Sequence, residues 1–319
     1  MHVLITGGAG FIGSHLAESL LDRGYKVTII DNLSTGSFSN IRGIENNPNL
    51  KILIDTVTNE MLIEKIINEC DLIYHLAAAV GVKLVMEQPI FSLENNILGT
   101  EIILRLAARY RKKVFIVSSS EVYGKSSQDS FKESDDLVIG ATIFKRWAYA
   151  ASKAIDEFMA MAYYHEQNTP VIIVRLFNTV GPRQTGRYGM VIPRFIDQAY
   201  KNEDITVYGD GKQSRCFTYV EDVTKSLISL SEKNEAIGNV INIGSDEEVS
   251  ILDLANRIIR MLDSRSSIRF IPYNEVYGQG FEDMHRRKPD TSLLRSLIDF
   301  NDLVSLDNIL KIIIKSKGF

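Results

Sequence analysis

A chain of 319 residues, 45% hydrophobic and 24% charged, is long enough for one large α/β body or two modest domains sharing an interface. Its formal net charge of -4 argues against nucleic acid as a main partner, because binding a phosphate backbone needs a clustered excess of Lys and Arg. Cys70 and Cys216 lie far apart without metal-ligand spacing, so neither a disulfide framework nor a metal site is expected, and a cytoplasmic setting fits.

Only His2 separates the start from the apolar Val3-Leu4-Ile5, which runs into a glycine turn instead of a cleavage site, so no signal peptide is expected. No apolar stretch approaches the roughly 20 residues of a membrane span, and no membrane association is expected. Short apolar runs then alternate with longer amphipathic ones, which predicts a doubly wound parallel sheet of Rossmann type. HVLIT (2–6), KVTII (26–30), KILI (51–54), LIYHLA (72–77), KVFIVSS (113–119) and VIIVRL (171–176) are the predicted strands. Helical spacing of Ile, Leu and Ala covers 12–23, 59–69 and 91–110, and a further helix starts near Trp147. Beyond about Gly181 the pattern loosens, with helices near 191–202, 220–232, 250–262 and 303–316. INIG (241–244) and IRFI (268–271) read as a strand pair in a smaller C-terminal α/β lobe. The expected division is 1–180 and 181–319, with the chain crossing between lobes.

The first turn reads TGGAGFIG. Gly7 permits a tight turn, Gly10 lets backbone approach a pyrophosphate, and Gly13, after Phe11 and Ile12, lets the helix pack close to the sheet. The helix start offers unpaired N–H groups to phosphates. Asp31 ends the second strand where a ribose-binding acid belongs, and with the neutral Asn32 it favours NAD over NADP, since a carboxylate repels a 2′-phosphate.

Tyr149 and Lys153 lie four apart, on one face of a helix. An ammonium beside a phenol favours the phenolate, so the Tyr can serve as a base. Ser118, Ser119, Ser120 and Glu121 follow at the C-terminal end of a strand, the edge where such sheets hold ligands.

TGGAGFIG, HLAA (75–78), NILGT (96–100), SSSEVYG (118–124), YAASK (149–153), RLFNTVGPR (175–183) and VYGDGKQSRCFTYVEDV (207–223) together resemble the extended short-chain dehydrogenase/reductase family that acts on nucleotide sugars. The similarity runs from Met1 to roughly Asp290. The resemblance implies tightly held NAD, a C-terminal lobe gripping a nucleoside diphosphate sugar, and a homodimer paired through two helices per subunit. On matching positions, Asp31 would bind the adenosine ribose, and Asn32, Asp55, Leu76, Ala77, Ala78, Asn96, Ser118, Tyr149 and Lys153 would line the cofactor. Lys83, Asn178, Arg183, Val191, Tyr208, Arg215 and Arg287 would face the sugar nucleotide. Tyr149 would take the proton of the sugar 4-hydroxyl, with Ser119 or Ser120 steadying the oxygen.

The fate of the resulting ketone stays open. Dehydratases of the family carry Asp-Glu where this chain has Ser120-Glu121, so loss of water is disfavoured. SEVYG, the KRWAY segment (145–149) and Arg287-Lys288-Pro289 are similar to UDP-glucuronate decarboxylases, which makes Glu121 and Arg287 candidate functional groups. Decarboxylation is the leading expectation and 4-epimerisation the alternative, while GRYGMVIPRF (186–195) departs from the decarboxylase pattern. A catalytically silent NAD sensor would be expected to lack the Tyr or the Lys, and both are present.

Overall fold

The computed structural model describes residues 1–186, 190–278 and 284–319; the side chains of Val82 and Lys83 also lie outside the described set. Apolar runs too short for a stable helix and bounded by Gly, Asp or Asn become strands, and the longer amphipathic segments between them become helices. In chain order these are β1 (His2–Thr6), α1 (Phe11–Asp22), β2 (Lys26–Ile30), β3 (Leu50–Leu53), α2 (Glu60–Glu69), β4 (Leu72–His75), α3 (Val82–Glu87), α4 (Pro89–Arg109) and β5 (Lys113–Ser119). There follow α5 (Ala148–Gln167), β6 (Val171–Leu176), β7 (Thr179–Val180), α6 (Val191–Tyr200), β8 (Ile205–Tyr208), β9 (Ser214–Cys216), β10 (Thr218–Tyr219) and α7 (Val220–Ser231). The chain continues through β11 (Val240–Ile243), β12 (Glu248–Ser250), α8 (Ile251–Met261), β13 (Ile268–Ile271), α9 (Tyr273–Tyr277), α10 (Ser292–Leu297) and α11 (Leu306–Ser316).

A seven-stranded sheet runs in the order β11-β6-β5-β4-β1-β2-β3. Its strand pairs are all parallel. Side-chain alternation along β1 shows how the layers form: Val3 and Ile5 join a core with Leu16 and Leu20 of α1 and Leu227 of α7, while Leu4 packs on the other face with Ile63, Ile103 and Ile116. Strand order reverses between β1 and β4, which opens a crevice beyond their C-terminal ends, where ligands bind in sheets of this type.

β11 and β13 do not pair with each other, contrary to the sequence expectation. β11 adds to the main sheet beside β6, in register Ile241 with Val174, while β13 pairs with β8. Periodicity marks four apolar residues as a strand but carries no partner, and the partner here is set by tertiary packing. Residues beyond 180 therefore return to the main sheet through α7, β11 and Leu294 of α10. The separate C-terminal core comprises Phe195 of α6, Ile205 and Val207 of β8, Leu254 and Ile258 of α8, and Ile309 and Ile313 of α11. Among the described residues no helix is long and apolar enough to cross a membrane, and no cluster of His, Cys, Asp or Glu could hold a metal ion.

Candidate active site

A cavity of about 770 Å³ lies over the strand-order reversal and is lined from both sides, by the β1–α1 turn and by α6, β8 and β9. The glycines at its floor are demanded by geometry. Gly7 has φ +71° and a Cβ on it would lie 2.8 Å from the Ala77 nitrogen, while one on Gly13 would lie 2.3 Å from the Gly7 carbonyl oxygen. Gly10 caps α1 with no side-chain hydrogen bond, so the first-turn N–H groups face the cavity free of protein caps. Phe11 and Ile12 line the same wall.

Asp31 ends β2 with its carboxylate over this turn, accepting from the Ala9 nitrogen at 3.0 Å and the Leu33 nitrogen at 2.8 Å. Burial pushes its pKa up, against the pull of those backbone N–H groups. Asn32, Asp55, Leu76, Ala77 and Ala78 also line the cavity. Asn96 stands behind the wall instead. It is fully buried, accepts from the Ala79 nitrogen at 2.8 Å and donates to Ser152 Oγ at 3.0 Å, bracing the loop after β4. Ser118 touches the cavity but spends its hydroxyl on Glu157 Oε1 at 2.5 Å. Glu157 in turn holds Arg175 Nη2 at 2.7 Å, which ties β5, α5 and β6 together under the site. The Lys83 side chain lies outside the described residues, as do 187–189 of the GRYG stretch.

At the centre, Tyr149 and Lys153 rise from the start of α5 beneath Ser119, Ser120 and Glu121. Burial pushes the Tyr149 phenol far above its ordinary pKa, the Glu121 charge adds to this, and a hydrogen bond with Ser119 opposes it. Lys153 is 1% exposed and gives its ammonium to Asp156 Oδ2 at 3.1 Å. Glu121 is clamped by Arg146 at 2.6 Å and by Arg287. Burial alone would raise its carboxyl, but the two guanidiniums outweigh that and hold it far below the usual range, so it is ionised at neutral pH. Arg287 also donates to Asn178 Oδ1 at 3.2 Å, and Asn178 Nδ2 to the Cys216 carbonyl at 3.0 Å, which joins the basic loop to β9.

The remaining expected substrate residues gather on the far wall. Arg183, Val191, Tyr208 and Arg215 all face the cavity, with Arg183 paired to Glu18 at 2.6 Å. Four buried polar atoms of lining residues have no hydrogen-bond partner: Ser120 Oγ, Gln184 Oε1, Arg194 Nε and Arg287 Nε. Unsatisfied buried polar groups are costly, and two of the four are guanidinium N–H groups beside an acceptor and a hydroxyl, which suits a polar ligand that carries an anionic group. The sequence expectation assigned no role to Arg146, Asp156 or Arg194. Arg146, Tyr149, Lys153 and Asp156 recur every three or four residues, one helical stripe, and that spacing was the available signal.

The family model described as GDP-mannose 4,6 dehydratase matches residues 4–313. The chain belongs to that family. The chain is similar to a UDP-N-acetyl-alpha-D-glucosaminuronate decarboxylase of Bacillus cytotoxicus, 44% identical over 97% of this chain and 95% of that one. A UDP-glucuronic acid decarboxylase 1 of Danio rerio is 36% identical over 96% of this chain and 70% of its own. Among solved structures, the UDP-glucuronic acid 4-epimerase of Bacillus cereus, in complex with UDP-glucuronic acid and NAD, superposes with a TM-score of 0.88 at 30% identity, covering 100% of this chain and 99% of that one. The family places this chain among the nucleotide-sugar-modifying enzymes of the extended short-chain dehydrogenase/reductase type.

Proposed function

We propose that the chain binds NAD over the β1–α1 turn and decarboxylates a UDP-linked uronate, with the N-acetylated glucosaminuronate as preferred sugar. The glycine cradle, the uncapped start of α1 and Asp31 fit a dinucleotide, with Asp31 at the adenosine ribose and Lys153 at the nicotinamide end. The cofactor would supply reversible hydride acceptance at carbon 4 of the sugar.

The chain's own residues do the rest. Tyr149, bonded to Ser119, takes the 4-hydroxyl proton and later returns it. Oxidation at carbon 4 turns a uronate into a β-keto acid. The bond to carbon 6 then breaks, its electron pair passes into the ketone, and carbon 5 takes a proton after carbon dioxide leaves. Glu121, held ionised by the two guanidiniums, is assigned the role of keeping Arg146 and Arg287 in place. The observation that carries this reading is the Arg146–Glu121–Arg287 cluster, which lines the cavity with Tyr149 and would offer guanidinium donors to a sugar carboxylate. The N-acetyl preference rests on the 44% identity to the Bacillus cytotoxicus decarboxylase.

A second reading, 4-epimerisation of a UDP-uronate, is favoured by the close fit to the Bacillus cereus epimerase. Incubating enzyme and NAD with UDP-N-acetylglucosaminuronate or UDP-glucuronate labelled at carbon 6 separates the two. Labelled carbon dioxide and a UDP-pentose are expected, the N-acetyl sugar reacting with the higher kcat/KM. A C4 epimer that keeps its label would replace decarboxylation by epimerisation, and unchanged sugars would overturn both. We further propose a homodimer formed through α4 and α5, where Leu98, Ile155 and Phe158 remain 52%, 42% and 71% exposed, and a cytoplasmic location, in keeping with two unpaired buried cysteines.

A further inference from the structure

α5 carries consecutive acids beneath the catalytic pair, and they are used differently. Glu157 is saturated by Arg175 and Ser118. Asp156 is fully buried, and its charged partner is Lys153, at 3.1 Å one helical turn away. Behind it runs a line of buried polar groups that reaches the cofactor loop. The Ala77 N–H donates to Thr6 Oγ1 at 3.1 Å, Thr6 Oγ1 meets His75 Nδ1 at 2.8 Å, and His75 Nε2 meets Thr100 Oγ1 at 3.1 Å. Thr100 ends this line near Asp156, whose Oδ1 is buried with no hydrogen-bond partner. Burial, with the Lys153 charge behind it, drives the His75 imidazole down to about 3, so the ring is neutral and has one donor and one acceptor. Thr6 then donates to Nδ1 and Nε2–H donates to Thr100, which leaves the Lys153 ammonium as the hydrogen-bond partner of the Asp156 carboxylate.

We propose that Asp156 is a positioning residue for the reaction: its buried carboxylate tethers the Lys153 ammonium and offsets its charge, and so sets the pH at which Tyr149 becomes a phenolate. This rests on the proposed role of Tyr149 as base. A lysine next to a phenol lowers its pKa, and an acid paired with that lysine takes part of the effect away. The other charged groups around Tyr149 are Glu121 and Arg287, while Glu157 faces Asp156 with its charge matched by Arg175. Asp156 acts on the phenol in the same sense as Glu121, upward.

The test is a tyrosinate absorbance titration of the NAD-loaded enzyme, taken as the difference from its Tyr149→Phe variant. Asp156→Asn keeps the shape and removes the charge, and should move the Tyr149 midpoint down by about one pH unit. Asp156→Glu, which keeps the charge, should stay near the parent. An unmoved or raised midpoint in Asp156→Asn overturns the proposal. Should that variant fail to fold, Asp156→Ser, which removes the charge and leaves room for water, must lower the midpoint as well; no shift there overturns it equally. No sugar is present, so a wrong substrate leaves this titration intact, and the carbon dioxide assay tests the substrate alone.

Discussion

Replacing Tyr149 with Phe removes the proton acceptor and leaves the cavity wall standing, so turnover should fall by at least about a hundredfold while NAD affinity stays within a few-fold. Turnover by stopped assay and NAD binding by calorimetry check the two halves. Arg146 belongs to a different class of effect, since its side chain is 4% exposed and pairs with a Glu121 that is 13% exposed. Arg146→Met should cost about 2 kcal/mol at neutral pH, as it removes one of the two charged hydrogen-bond partners of a buried carboxylate and leaves only Arg287. The Glu121 carboxyl is held low in the fold, so its stabilisation is present above its unfolded pKa of about 4.3 and fades as pH drops toward the folded value. The gap between parent and variant should therefore narrow below about pH 4, as read from denaturant unfolding at several pH values. Tyr149 and Lys153 were legible because their spacing and the nearby serines name a chemistry. Asp156 was not, because an acid three residues past a lysine on a helix looks like an ordinary surface pair until burial is known. Asn96 illustrates the opposite case: its motif points to the cofactor, and its side chain proves to brace the loop from behind.

The β1–α1 unit was readable almost to the residue, since a strand, a tight turn and a close helix approach each demand a small set of residues. Gly13→Ala should consequently lose most NAD affinity, because the new methyl would fall on the Gly7 carbonyl and force α1 off the turn. Calorimetric binding, with circular dichroism to confirm that the fold persists, measures this. Long apolar strands buried on both faces were equally plain, β6 among them. The two-residue strands β7 and β10 and the β9–β12 pair lay below what alternation can signal. Their positions matter to the site, because β9 delivers Arg215 and the Cys216 carbonyl that holds Asn178.

At the scale of the molecule, α4 and α5 pack on each other and leave an apolar outer face, the expected dimer surface. Leu98→Asp combined with Phe158→Asp should give a monomer by sedimentation equilibrium, with NAD binding retained. The fold class and a crossing between the lobes were expected from the sequence, while the strand that makes the crossing was not, since no local pattern says which edge a late strand will join. That interleaving has a consequence for synthesis. β6 is buried on both faces, and its far edge is paired only by β11, about seventy residues further on. A nascent chain that has emerged only through residue 180 exposes the row of unpaired backbone groups on β6, and residues 1–180 made alone should aggregate. Scattering of the purified fragment, against the full chain at equal concentration, would show it. That edge stays open until Ile243 has been added, so the hazard in making this enzyme lies on the side of the sheet away from its chemistry.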